Sequence, residues 1–218
     1  MVEQALAVSR TRLWIEFAVL YIGAPLLIAL FMPGDLLFPA LAVFMVGGIA
    51  LLWLTGGFDL RDLLRGWGRV PLAKVVLFGL ITAAIAWWIM QTTRPDYMRP
   101  LTLERLRFLV MVWTLYPLLS ALPQELIFRP LFFHRYGALF PDQRVGLLVN
   151  AAVFSFAHLM YWSWIVAILT FAGGLVFALA YVRRGFPSAW LFHGIAGNVL
   201  FTMGMGAYFY TGNVVRPF

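Results

Sequence analysis

Residues 145–182 read VGLLVNAAVFSFAHLMYWSWIVAILTFAGGLVFALAYV and contain no Asp, Glu, Lys or Arg. A helix needs about 20 apolar residues to cross the hydrocarbon core of a bilayer. Val145 to Val182 is therefore long enough for two crossings, with a break expected near Tyr161-Trp162-Ser163-Trp164. Working outward, Gly185 to Val215 supplies a further span. Upstream, Phe108 to Gln124 is uncharged and continues past Glu125 and Arg129 into Leu131-Phe132-Phe133. Three more spans precede it: Leu13 to Met32 (interrupted only by Glu16), Leu36 to Phe58, and Val75 to Thr93. The expectation is an all-α, polytopic transmembrane helix bundle of about seven spans. Residues 1–105 contribute three of them and residues 106–218 four, as one structural unit.

Composition agrees. The chain is 63% hydrophobic and 11% charged, against about 45–50% apolar and roughly 25% charged in soluble domains. The net charge is +7, but the basic residues occur singly or in pairs between apolar runs, as topology signals do. Membrane lipids are expected partners and nucleic acid is not. The chain has no cysteine, which excludes disulfides, thiolate nucleophiles and cysteine metal sites.

Lys and Arg set orientation through their excess on the cytoplasmic side. One face collects Arg10, Arg12, Arg61, Arg65, Arg69, Lys74, Arg135, Arg144, Arg183 and Arg184; the other collects Arg94, Arg99, Arg105, Arg107 and Arg216. Ten against five predicts a cytoplasmic N-terminus. The first span is read as retained, because its apolar stretch is too long for a signal peptide and no small-x-small cleavage site follows. Ala172-Gly173-Gly174 and Gly194/Gly197 predict close helix approach.

Ionisable groups inside a span cost about 2.5–3.5 kcal/mol each and tend to mark function. Glu125 and Arg129 in the fourth span, His158 in the fifth and His193 in the seventh stand out, with Gln124 and Asn198 as amides. Glu125 and Arg129 are four residues apart with the acid first, the favourable order for an intrahelical pair. Pro123 and Pro130 predict a kink there and freed carbonyls around a polar pocket. One carboxylate and two imidazoles on three helices, aimed at a common water-filled hollow, make either a general-base site with oxyanion donors or a two-His-one-Glu zinc site.

The order Gln124-Glu125-x-x-x-Arg129, Phe154-x-x-x-His158, then His193 followed by Asn198 resembles the signature of the CAAX-protease and bacteriocin-processing (CPBP) intramembrane proteases. That family's pattern is Glu-Glu-x-x-x-Arg, Phe-x-x-x-His and His-x-x-x-Asn/Asp on successive helices, and the resemblance covers about residues 106 to 206. It implies proteolysis within a membrane, here of a membrane-delivered peptide or protein tail, in a prokaryotic plasma membrane. A glutamate would activate water without a metal, and zinc held by Glu125, His158 and His193 is the alternative. By the same resemblance His158 would help hold the water, His193 and Asn198 would stabilise the oxyanion, and Arg129 would pair with a glutamate.

The chain departs from the pattern twice. Gln124 stands where the first glutamate belongs, and an amide cannot accept the proton. Either Glu125 is the base and Gln124 orients water or substrate, or the chain is a pseudoprotease acting as a membrane chaperone or immunity factor. Asn198 follows His193 by five residues rather than four, a turn of about 100° further around a straight helix, which a bulge at Gly194 or Gly197 would correct. A transporter or proton relay is a third reading, without the repeat symmetry such proteins usually show.

Overall fold

The computed structural model describes residues 9–97 and 101–210. Arg99, Arg216 and the last residues of the expected seventh span lie outside them.

Among the described residues the chain forms helices and no strand. Six helices are long and apolar enough to cross a membrane: α1 (Arg10–Phe31), α2 (Gly34–Thr55), α3 (Leu72–Thr93), α4 (Leu103–Leu139), α5 (Gln143–Tyr161) and α6 (Trp164–Arg184). The chain is a multi-pass helical membrane protein. The next helix, α7 (Phe186–Thr202), has 17 residues, or about 25 Å at 1.5 Å per residue. It ends well before Val215, because a turn with Gly204 at φ +86 stops it and a short helix, α8 (Gly206–Phe209), follows.

Helix ends in lipid must satisfy their own backbone donors, and the sequence places capping oxygens where the chain turns. Ser9, Thr102, Asp142 and Ser163 accept from the amides of Arg12, Arg105, Val145 and Val166. The break inside residues 145–182 falls where expected. Trp162 takes a left-handed φ of +47 and Ser163 caps α6.

The helices alternate direction, so their ends gather on two faces. On the Arg10 face, Arg10 donates to the Leu139 carbonyl (3.1 Å) and Arg135 pairs with Glu16 (2.6 Å) and Thr55 (2.7 Å). The long α2–α3 linker also lies there: Arg184 donates to the Arg69 carbonyl (3.0 Å). On the opposite face, Arg105 donates to the Thr202 carbonyl (2.9 Å) and the Tyr208 hydroxyl to Thr93 (2.7 Å).

Inside, α7 packs between α3, α4 and α6, while α5 pairs with α6. Glycines allow the approach, as expected. A Cβ at Gly174 would sit 3.0 Å from Phe154 and 3.3 Å from the Ala151 backbone. Leucine, isoleucine and valine cover the lipid-facing surface, which is their favourable place when the solvent is hydrocarbon.

Candidate active site

The site grows from a widened stretch of α4. Two segments of this helix are π-helical, Pro117–Ala121 and Ile127–Tyr136. Such turns often occur where a side chain must be re-aimed. Three carbonyls in these segments accept side-chain donors from other helices. Trp190 Nε1 donates to Pro117 (2.7 Å), the Tyr21 hydroxyl to Ile127 (2.7 Å) and Asn150 Nδ2 to Phe128 (2.6 Å).

Glu125 lies at the centre of this arrangement with no solvent exposure. Arg129 Nε donates to Glu125 Oε2 (2.9 Å) and Arg129 Nη2 to Oε1 (3.2 Å). The spacing of four residues delivers this pair as the sequence predicted. Arg129 also donates to the Asn150 side-chain oxygen, and its guanidinium lies 5.1 Å from the centre of the Phe154 ring. His193 Nδ1 donates to Glu125 Oε1 (2.9 Å), and its ring stacks on Phe177 at 4.9 Å. With the proton on Nδ1, the neutral ring accepts at Nε2 from the Tyr116 hydroxyl (3.1 Å).

Beside this buried network is a cavity of about 600 Å³. Its polar lining includes Tyr116, Ser120, Gln124, His158, Thr170 and His193; its apolar lining includes Phe78, Phe177 and Phe201. A smaller hollow between α1, α2 and α5 shares Ser120, Gln124, His158 and Tyr161 with it. Gln124 and His158 therefore stand at the wall between the two. Gln124 Nε2 donates to Ser120 Oγ (3.0 Å), which leaves its carbonyl oxygen as the acceptor on that side chain. His158 Nδ1 donates to the Phe154 carbonyl (2.8 Å), so Nε2 is the proton-free nitrogen of the neutral ring.

The expected convergence needs correcting at two residues. Gln124, His158 and His193 share the cavity, but Glu125 does not line it. Position 124 points about 100° away from 125 around the helix, so the amide meets the hollow and the carboxylate meets Arg129. Asn198 does not line it either. Residues 193, 196, 197, 200 and 201 of α7 form the cavity stripe, a helical face into which residue 198 does not fit. No bulge intervenes, since α7 is regular from Phe186 to Thr202. Asn198 Nδ2 instead donates to the Trp113 carbonyl (3.2 Å).

Both oxygens of Glu125 are engaged by Arg129 and His193. Among the described residues no three His, Cys, Asp or Glu side chains gather as a metal-ligand group. Glu125, His158 and His193 do not fit a catalytic zinc set, which needs three ligands around one point.

Two participants were not singled out in the sequence. Asn150 is an amide in the middle of the fifth span, a signal as visible as Asn198. Tyr116 gave less warning, although Gly197 opposite it is a clue: a Cβ there would overlap the tyrosine ring.

No curated protein and no solved structure matches the chain. Residues 106–210 match the family model described as type II CAAX prenyl endopeptidase Rce1-like. This stretch holds α4 from Leu106 onward, α5, α6, α7 and α8, and so every residue of the three motifs. Residues 106–210 are therefore similar to the Rce1-like type II CAAX prenyl endopeptidases, the CPBP grouping that the motif order resembles.

Proposed function

We propose that the cavity receives a membrane-delivered peptide or protein tail, as a CAAX-type intramembrane endopeptidase would, and that Gln124 leaves hydrolysis impaired. The observation that carries this is the swap of exposure between neighbours: Gln124 lines the cavity and Glu125 is sealed behind it. A general base must come within about 2.6–3.2 Å of the proton it takes. The carboxylate bound to Arg129 has no such access, and the amide at position 124 cannot hold a proton.

In this reading Glu125 is a positioning residue. It holds the His193 ring in place and neutralises Arg129, while Tyr116, His158 and His193 supply the polar wall against which a peptide carbonyl would lie. The protein then keeps the binding apparatus of a protease and acts by capture, as a membrane chaperone or immunity factor does.

A second reading has one observation in its favour. His158 presents a proton-free Nε2 beside the cavity, so it could take the proton that Gln124 cannot. Turnover of one fluorogenic farnesylated peptide by purified protein separates the two. The impaired reading expects none from the wild type and measurable hydrolysis from Gln124→Glu. Wild-type turnover lost in His158→Ala would instead establish the histidine as base, a contribution of about 10²–10⁴-fold for general-base catalysis.

A further inference from the structure

The cavity has a side. Its polar end, at His193 and Tyr116, lies deep in the bundle. Its outermost lining residues lie toward one face: Gly34, Asp35 and Phe38 at the start of α2, Tyr161 at the end of α5, and Phe209 and Tyr210 after α7. Asp35 is exposed, and Tyr210 is 59% exposed. This is the face on which Tyr208 meets Thr93 and Tyr161 meets Phe209. It is opposite the face of Arg10, Thr55, Arg135 and Arg184.

The Arg10 face is the basic one, by ten Lys and Arg to five in the sequence, and short loops rich in Lys and Arg stay in the cytoplasm. The rim has its own chemistry. Phe38 from α2, with Ile81 and Ile85 from α3, lines the cavity while exposing about half of its surface or more, at 56%, 50% and 44%. An apolar rim at membrane level suits an occupant already held in lipid.

We propose that the cavity is entered from the extracytoplasmic side, and that its ligand is a peptide whose apolar anchor resides in the outer leaflet. This rests on the tail-binding function above and adds to it which membrane face presents the tail. A cytoplasmic prenylated C-terminus would meet the closed, basic face of this molecule.

Because the chain has no cysteine, single introduced thiols report sidedness directly. The variants are Asp35→Cys and Tyr210→Cys at the mouth and Arg61→Cys on the opposite face, none of them in the polar wall of the site. A membrane-impermeant maleimide applied to intact cells should label the two mouth variants as fully as in permeabilised cells. Arg61→Cys should react only after permeabilisation. A farnesylated peptide added from outside should slow labelling of the mouth variants. The reverse labelling pattern overturns the outer-leaflet assignment whatever the protein's activity. Correct sidedness without protection by the peptide would instead overturn the ligand class, while leaving the orientation standing.

Discussion

Arg129 is fully buried in a membrane-spanning helix, and its stability there depends on every group around it. Glu125 supplies the counter-charge, Asn150 accepts a further hydrogen bond and Phe154 offers its ring face. Removing one partner of a buried pair costs about 3–5 kcal/mol, because the remaining charge is stranded. Arg129→Leu is expected to lower the thermal unfolding midpoint in detergent more than Asn150→Ala, which removes one bond to a charged group, worth about 1.5–3 kcal/mol, and one neutral bond worth about 1 kcal/mol. Glu125→Gln should fall between them and also release His193, seen as a shift in the imidazole NMR signals. Equal stability of Arg129→Leu and wild type would refute the network. At this scale the sequence was informative about membership and less so about aim. Glu125, Arg129, His158 and His193 were visible as polar groups in apolar spans. Which of Gln124 and Glu125 faced the hollow depended on what surrounded α4, and neither spacing nor composition carries that.

At the scale of the element, α7 shows how a regular helix sorts its residues. The stripe 193, 196, 197, 200 and 201 meets the cavity, and residue 198 falls off it. A bulge was expected to bring Asn198 back, but Gly194 and Gly197 are already used for close packing. Gly194 lies against Pro117, where a Cβ would be 3.4 Å from the ring, and Gly197 lies under Tyr116. Gly197→Ala is expected to destabilise the fold by about 1–3 kcal/mol, as overpacking does, and Tyr116→Ala in the same chain should relieve most of that loss. Asn198→Ala should leave peptide binding in the cavity unchanged, checked by fluorescence titration; a large loss of affinity would return Asn198 to the site. The helices themselves were legible from charge-free runs alone. The π-helical turns of α4 were not, because Pro123 and Pro130 predict a kink without saying how its carbonyls are satisfied.

At the scale of the whole molecule, the first three helices are fastened to the family-matched half by polar contacts at specific depths. Tyr21 donates to Ile127, and Arg135 binds Glu16 and Thr55 at the Arg10 face. Around Tyr21, the rings of Phe17, Phe128, Phe132 and Tyr136 pack edge-on or tilted at 5.0–5.9 Å. Tyr21→Phe keeps this packing and loses one buried bond, so unfolding in detergent should show a loss of about 1 kcal/mol. Arg135→Ala strips the main partner from Glu16 and should cost more. The sequence flagged Glu16 as an oddity in the first span, but its partner lies 119 residues away, beyond any local pattern.

The long α2–α3 linker lies against the turn between α6 and α7. The Arg65 carbonyl sits over Gly185, and Gly66 fits beneath Arg184. Beneath it, Trp67 meets Trp190 edge-on and Phe78 packs on Phe192. The hollow is therefore a blind alley, stoppered at its deep end. Whatever goes in must back out through the doorway it used. A long-lived occupant would bar the next, so turnover in any revived enzyme would be governed by departure as much as by bond cleavage.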